Sequence, residues 1–430
     1  MLREILERSP HYADNCTRYT SYPPVSRWGA EIDGAAYADA LRGANQSEPI
    51  RLYVHLPFCD RRCWFCACNV TIRPPGASNA PYLDRLTAEM ATVGALVKGR
   101  HVDSLHLGGG TPNSLPPADV AHLFSALWQY FAVDARTIVD CEMDPRVATA
   151  ASVAAFAATG VRRISFGVQD IDPEVGRAIG RELSLGALVG HVQTARRFGV
   201  RSVNFDLMYG LPRQTPESID RTIVELLSIR PERVALFGYA HMPSVRPQQR
   251  RLEASGLPDA SERAALYVAA ATRLCAAGYA PIGLDHFAVP ADEMARAAAL
   301  GTLRRTFQGY TTHGDLDEIG LGASAISDIR SGPLPVFAQN VTSEKVYRAT
   351  PGLPITRGIR LTADDVARGR VIEAITCRLA VREAGLWRRY PEARARLGRF
   401  EQDGLVLLEA DKCVCGDVSN RNKIILHMRI

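Results

Sequence analysis

Three cysteines near the start of the chain have a spacing that suits a metal centre. Cys59, Cys63 and Cys66 follow the pattern C-x3-C-x2-C, and Cys68 comes two residues later. Thiolates packed this closely are soft ligands for an iron–sulfur cluster or for zinc. Three protein ligands on a four-iron cluster would leave one iron open for a small molecule, so the pattern points to chemistry at that iron.

The same four cysteines allow two simpler interpretations. They could bind a structural zinc ion, or they could be thiols with no special role. Structural zinc sites usually take two separated pairs of ligands, whereas here all four cysteines lie within ten residues. The spacing therefore favours the cluster and leaves the zinc site as an alternative.

Composition limits the class of protein. The chain has 430 residues, of which 47% are hydrophobic and 23% charged, enough for a large barrel and a smaller second domain. The net charge of +5 suits anionic substrates, and no basic run interleaved with aromatic residues indicates nucleic acid. The N-terminus has no apolar signal core, and the apolar stretch at 153–161 is too short to span a membrane. We expect a cytoplasmic protein with reduced cysteines and no membrane contact.

The elements that position the cysteines repeat along the chain. Residues 52–56 have the composition of a strand, which Pro57 ends because proline has no N–H to donate. Further strands are predicted at 102–107, 137–143, 163–168, 202–208 and 233–238. Helices are predicted at 81–98, 116–130, 146–158, 185–198, 216–229 and 258–277. This alternation of six strand–helix units predicts a parallel sheet, curved into a closed or partly closed barrel.

Glycines and polar residues fall at or near the C-terminal ends of the predicted strands, where α/β folds bind their ligands. The run 108–111, Gly-Gly-Gly-Thr, is either a tight turn or a place where a ligand approaches the backbone. Glu142 ends another strand, and its buried carboxylate needs a partner, which is equally a ligand or an arginine. Asp206 and Gln169 occupy similar positions in later units.

The remaining segments define the expected domain organisation. Residues 1–50 are expected to form an N-terminal segment, whose run at 17–24 is a loop packed across the domain surface. Residues 51–290 form the barrel. Residues 291–430 form a connecting segment and a small, mainly helical domain, which covers the barrel mouth.

These motifs together resemble those of known enzymes. The pattern C-x3-C-x2-C after a strand resembles the signature of the radical S-adenosylmethionine (SAM) enzymes. The wider run at 52–69 resembles one branch, the oxygen-independent coproporphyrinogen III oxidases, as do RYTSYP at 18–23, FQGYTT at 307–312 and GLGASAIS at 320–327. The resemblance covers about residues 10 to 410 and implies a partial (β/α)6 radical SAM barrel. The tail after about 410 departs from the family pattern, which leaves the completeness of the lid open.

The resemblance also implies cofactors and their ligands. It implies a [4Fe-4S] cluster on Cys59, Cys63 and Cys66, without Cys68, and two SAM molecules side by side. The first-SAM positions are Tyr53, Gly109, Glu142 and Ile326. The second-SAM positions are Phe65, Gly110, Thr111, Gln169, Arg181, Asp206 and Ala240. Arg18, in the N-terminal run that would cross the active-site mouth, is expected to meet a propionate of the substrate.

The implied reaction belongs to haem biosynthesis. A 5′-deoxyadenosyl radical made from SAM would start the oxidative decarboxylation of two propionates of coproporphyrinogen III, giving the vinyl groups of protoporphyrinogen IX. A flavodoxin- or ferredoxin-type electron donor and a monomeric enzyme are expected.

Three alternatives stay open. One is a radical SAM paralogue with another substrate, which the altered tail favours, and one is a haem-binding chaperone of the same superfamily. The third, a zinc-stabilised binding module, does not explain why polar residues recur at successive strand ends.

Overall fold

A computed structural model describes residues 21–415 except Pro75, Leu334, Asp403 and Leu405. In chain order the strands are β1 (Ile50–Leu56), β2 (Phe58–Cys59), β3 (Thr71–Ile72), β4 (Val102–Gly109), β5 (Ile138–Met143), β6 (Val161–Gln169), β7 (Ser202–Tyr209), β8 (Arg233–Gly238), β9 (Ala280–Ile282), β10 (His286–Ala288), β11 (Arg304–Arg305), β12 (Tyr310–Thr311), β13 (Asp317–Leu321), β14 (Ile326–Ile329), β15 (Val336–Asn340), β16 (Ile355–Arg360), β17 (Ala380–Arg382), β18 (Val406–Glu409) and β19 (Lys412–Cys415).

The helices lie mainly between these strands. In chain order they are α1 (Gly34–Gly43), α2 (Ala80–Leu96), α3 (Pro117–Tyr130), α4 (Ala150–Ala158), α5 (Pro173–Ile179), α6 (Leu185–Arg197), α7 (Pro216–Leu227), α8 (Arg250–Glu253), α9 (Ala260–Ala276), α10 (Glu293–Leu300), α11 (Glu344–Ala349), α12 (Ala363–Arg378), α13 (Leu386–Arg389) and α14 (Pro391–Gln402). No helix in the described ranges is long and apolar enough to cross a membrane.

The largest sheet has the strand order β16-β15-β14-β13-β1-β4-β5-β6-β7-β8-β10-β9. Its six central strands, β1 and β4 to β8, are parallel neighbours in chain order. They correspond to the six strands predicted from the sequence, so the α/β fold with a partial (β/α)6 barrel is confirmed. Side chains on one face of these strands pack against helices, and those on the other face line the barrel interior.

Local signals fix where several helices begin. Thr215 and Ser218 form a reciprocal capping box at α7, and Pro216 occupies its first turn. Thr149 and Ser152 form the same box at α4. The helix predicted at 146–158 therefore begins only at Ala150, because Thr149 is its N-cap.

Strands that follow residue 290 extend the same sheet. β13 pairs in parallel with β1, from Ile50 opposite Asp317 onwards, and β14, β15 and β16 follow antiparallel. On the other edge, residues 280–288 contribute the β9/β10 hairpin. Helices α12, α13 and α14 pack beside a small sheet of order β17-β19-β18. The domain limits at 50 and 290 stay a prediction, and residues 1–20 and 416–430 lie outside the described ranges.

A buried ion pair joins β13 to the start of the barrel. Arg100 and Asp317 have fully buried side chains and approach to 2.9 Å. Arg100 also donates to the Glu48 carbonyl, and Asp317 accepts from the backbone N–H groups of Arg330 and Ser331. Each charge thus has several partners, which is the condition for a buried pair to be tolerated.

Replacing Arg100 by methionine should strongly destabilise the protein. The Asp317 carboxylate would stay buried without its cation, which costs about 3–5 kcal/mol. Urea unfolding measures the loss, and Arg136→Met, in the exposed pair with Asp134, is the matched control with little expected effect. Equal midpoints for the two variants would contradict this role of the buried pair.

Candidate active site

One cavity of about 530 Å³ runs through the barrel interior. Its inner end is formed by residues near the starts of the strands, among them Asp140 and Arg163, and its outer end by the cysteine loop. Side chains of β7 point alternately into the cavity and away from it. Asn204 and Asp206 line the cavity, whereas Phe205 between them is buried on the opposite face. The sequence therefore places a polar lining on one face of each strand.

The cysteine loop closes over the outer end of the cavity. β2 and β3 pair in parallel and bring the two ends of the loop together. Cys59, Cys63, Cys66 and Cys68 all line the cavity. Two cations flank one thiol, since Arg146 Nη2 lies 3.1 Å and Arg181 Nη1 3.3 Å from Cys63 Sγ.

The thiols have different electrostatic environments. The hydrogen bond with Cys68 lowers the pKa of Cys66 to about 6, although burial opposes the shift, and Arg62 and Arg181 also lower it. Burial raises the pKa of Cys59 to about 11, partly offset by the Thr111 hydroxyl, which donates to Cys59 Sγ at 3.2 Å. Donors and cations beside thiols favour the thiolate, the form that ligates iron.

Cys59, Cys63 and Cys66 come from one loop at the outer end of the cavity. Within the described ranges, no three His, Cys, Asp or Glu side chains converge on one metal-ion position. A four-iron cluster binds each thiolate through a different iron, and three cysteines of one loop can supply three such ligands.

The glycine run at the end of β4 lies directly against the cysteine-bearing segment. The Gly110 N–H donates to the Leu56 carbonyl at 2.8 Å, and the Thr111 N–H donates to the Phe58 carbonyl at 2.8 Å. A Cβ atom on Gly110 would lie 2.6 Å from that Phe58 oxygen. Gly109 has a φ of 112°, which glycine adopts readily. The run is thus a tight turn whose backbone also lines the cavity.

Glu142 pairs with a histidine. Its Oε1 lies 3.2 Å from His106 Nε2, and its Oε2 accepts from the Gly109 N–H at 3.2 Å. Burial raises the pKa of Glu142, but His106 and the Gly109 N–H outweigh it, so the net shift is downward. Burial lowers the pKa of His106, and Glu142 reverses that into a net rise. Within the protein the partner is a histidine and not the arginine considered from the sequence, and pairing with a ligand stays a prediction. His106 is an inward-facing residue of β4, two before the glycine run, and the alternation of β4 was its only signal.

Two later strands and the loop after α5 add three more polar positions. Gln169 ends β6 with a φ of 67°, a rare conformation for a residue other than glycine. Arg181 donates to Asp144 at 3.1 Å and to the Gly167 carbonyl. On Asp206, the carboxylate accepts from the Ser165 hydroxyl and the Asn204 amide. Burial and, next, the charge of Glu142 raise its pKa to about 6.

The cavity brings together nearly all residues proposed from the sequence. Those that line it are Tyr53, Cys59, Cys63, Phe65, Cys66, Gly109, Gly110, Thr111, Glu142, Gln169, Arg181, Asp206 and Ala240. Ile326 is not among its lining residues; it is buried in β14 within an apolar cluster that includes Trp28 and Phe337. Arg18 lies outside the described ranges. The segment from Phe307 to Thr312 forms a further wall of the cavity.

Comparison with known proteins agrees with this geometry. The Radical SAM superfamily pattern matches residues 53–226. The solved structure of coproporphyrinogen III oxidase (HemN) from Escherichia coli, described as a radical SAM enzyme, superimposes with a TM-score of 0.89 and 34% identity, over 95% of each chain. This chain is therefore a radical SAM oxidoreductase, of the class that uses a [4Fe-4S] cluster and SAM.

Curated relatives narrow the class. The oxygen-independent coproporphyrinogen III oxidase of Pseudomonas aeruginosa is 39% identical, covering 91% of this chain and 88% of the relative. The oxidase of the same name from Escherichia coli K12 is 36% identical, and the alignment covers 94% of this chain and 93% of the relative. The chain belongs to the oxygen-independent coproporphyrinogen III oxidase family. The resemblance of the cysteine pattern and of the motifs to this family is confirmed, and the zinc-stabilised binding module is wrong. The assignment of individual cysteines as ligands stays a prediction.

Asp206 should make stability depend on pH. A carboxyl group whose pKa rises from its ordinary value near 4 to about 6 on folding favours the folded state while protonated. That stability is lost as the pH rises from about 4 to about 6. The Asp206→Asn variant lacks this carboxyl group. We therefore expect its free energy of unfolding, relative to that of the wild type, to be higher at pH 7 than at pH 5 by roughly 1 kcal/mol.

Urea unfolding of the cluster-free wild type and variant at the two pH values measures this difference. Other titrating groups, including the cysteines, are common to both proteins and cancel. A stability difference that is the same at pH 5 and pH 7 would show that Asp206 titrates normally.

Gly110→Ala should impair cluster retention. The added Cβ meets backbone atoms of Pro57 and Phe58 within 2.8 Å, so the turn and the cysteine segment must move apart. We expect less iron and sulfide per chain after anaerobic reconstitution. Gly190→Ala in α6, whose Cβ would meet nothing within 4 Å, is the control and should retain wild-type iron. Full iron content in Gly110→Ala would refute the proposed fit.

Proposed function

We propose that the protein catalyses the oxygen-independent oxidative decarboxylation of two propionates of coproporphyrinogen III to vinyl groups, giving protoporphyrinogen IX. The observation that carries the proposal is a single cavity lined by the cysteine loop, the glycine turn, Glu142 and the wall at 307–312. The names of the relatives, which cover most of both chains, support the same reaction.

Cys59, Cys63 and Cys66 are the proposed ligands of the cluster. A [4Fe-4S] cluster with SAM supplies, when bound, the one-electron cleavage that starts radical chemistry. The protein contributes charge compensation, because Arg146 and Arg181 contact the Cys63 thiol and would stabilise its thiolate. Cys68 is left without an iron and hydrogen-bonds Cys66.

The neighbouring residues are proposed to hold two SAM molecules. For the first, Glu142 is ionised and can accept from the ammonium group or the ribose hydroxyls, while Gly109 offers close backbone approach. Tyr53 stacks on His106 with 5.8 Å between ring centroids and forms part of the same wall. Ile326 keeps its assignment only as a proposal, because its side chain packs in the apolar cluster beside β14.

The second molecule is assigned to residues of the cysteine loop, the glycine turn, β6, β7 and the loops after α5 and β8. These are Phe65, Gly110, Thr111, Gln169, Arg181, Asp206 and Ala240, all of which line the cavity. Arg181 provides the cation for a carboxylate, and Asp206 provides an acceptor for hydroxyl groups. The two sets adjoin at the glycine turn.

The proposed partners follow from the reaction. A flavodoxin- or ferredoxin-type protein is the proposed electron donor, and Arg18 the proposed contact for a propionate. The helical region after residue 291 is the proposed lid, the enzyme is proposed to act as a monomer, and a cytoplasmic location stays a prediction.

Reconstitution tests the function directly. The protein loaded anaerobically with iron and sulfide should give the absorbance and EPR spectra of a [4Fe-4S] cluster, release 5′-deoxyadenosine with SAM and reductant, and convert coproporphyrinogen III to protoporphyrinogen IX. Cys63→Ala should lose iron and activity, whereas Cys275→Ala in α9, outside the cavity, should keep both. Cleavage of SAM without conversion of coproporphyrinogen III would assign the site to another substrate.

A further inference from the structure

The arginines that line the cavity differ in their partners. Five of them contact a carboxylate within ion-pair distance: Arg51 with Glu318, Arg146 and Arg181 with Asp144, Arg163 with Asp140, and Arg233 with Asp292. Arg61 and Arg62 belong to the cysteine loop, where Arg61 is exposed and Arg62 donates to the Val70 carbonyl at 3.3 Å. Arg305 lies on another wall, and no carboxylate in the described ranges pairs with it. The Arg305 guanidinium is therefore available to pair with an anionic ligand.

Arg305 is also short of hydrogen bonds. Its Nε and Nη1 atoms are buried and have no acceptor among the described residues. Burying a charged donor without an acceptor is unfavourable, so such a group is usually satisfied by a ligand or water. The position of Arg305 on the cavity wall makes a ligand in the cavity the available source of an acceptor.

The Arg305 guanidinium is held in place before any ligand arrives. It stacks on the Tyr310 ring, with 4.7 Å between its central carbon and the ring centroid. The Tyr310 hydroxyl accepts from the Leu284 N–H at 2.8 Å and donates to the Thr376 carbonyl at 3.0 Å. A planar cation fixed on an anchored ring suits bidentate recognition of a carboxylate.

The preceding residue, Arg304, pairs with carboxylates of the protein and provides a comparison with Arg305. Arg304 shares β11 with Arg305 but faces the other way, and it does not line the cavity. Arg304 Nε lies 3.1 Å from Asp315 and 3.7 Å from Glu373. In this hairpin, Arg304 forms ion pairs within the protein, whereas Arg305 lines the cavity.

We propose that Arg305 binds a carboxylate of the substrate, one propionate of the tetrapyrrole. This assignment rests on the proposed function and deepens it. The carboxylate of SAM has the same chemistry, but Arg181 already offers a cation beside the cysteine loop, whereas Arg305 lies in the hairpin next to the wall at 307–312. The two carboxylate sources are separated by the experiment.

Binding is measured on the cluster-reconstituted enzyme without SAM, so that no turnover occurs. Coproporphyrinogen III is equilibrated anaerobically with protein, and the free fraction is separated by ultrafiltration and oxidised to coproporphyrin for quantification. Arg305→Met should weaken binding about 10- to 100-fold, the usual loss for one charge-assisted pair. Its affinity should also depend less on salt than that of the wild type, while Arg305→Lys should keep part of the affinity.

Arg304→Met is the matched control, and iron content and thermal midpoint report folding for every variant. Arg304→Met should bind coproporphyrinogen III as the wild type does, and SAM affinity should be unchanged in Arg305→Met. Unchanged coproporphyrinogen affinity in Arg305→Met, or a loss of SAM affinity instead, would overturn the assignment. A wild-type enzyme that binds SAM but no coproporphyrinogen III would overturn the proposed function itself, and this assignment with it.

Discussion

The site depends on a close approach between two backbone segments. The end of β4 contacts the chain that leaves β1, and this contact requires glycine, because a Cβ on Gly110 would lie only 2.6 Å from the Phe58 carbonyl oxygen. The Thr111 hydroxyl then reaches Cys59 Sγ, so the same turn that lines the cavity also holds the first cysteine of the loop. The start of the cysteine loop is therefore positioned by a steric constraint together with one side-chain contact between segments far apart in the chain.

Charge pairing is the second constraint. A barrel interior that holds this many ionisable groups is stable only if the charges are paired. Asp144 lies between Arg146 and Arg181, and Glu142 pairs with His106. These pairs compensate the charges that line the cavity beside the cysteine loop.

The sequence predicted what depends on local pattern and periodicity. The strand–helix repeat placed the six parallel strands within a few residues, and the strand ends placed Glu142, Gln169 and Asp206 on one cavity. It did not identify His106, which pairs with Glu142 only because β4 and β5 lie side by side in this register. Likewise, β13 to β16 join the sheet through contacts with residues far away in the chain, and such pairing leaves no short-range signal. The side-chain packing of Ile326 also followed from that long-range arrangement and was therefore not predictable.

These non-local strands explain how the C-terminal half can shape the substrate side of the cavity. β13 is hydrogen-bonded to β1, the strand that leads into the cysteine loop, so the segment that precedes β13 is tied to the loop through one strand pair. That segment carries Tyr310, whose hydroxyl contacts the Thr376 carbonyl in α12. The wall that carries Tyr310 is thus held by α12, and the cysteine loop by the glycine turn, through separate hydrogen bonds.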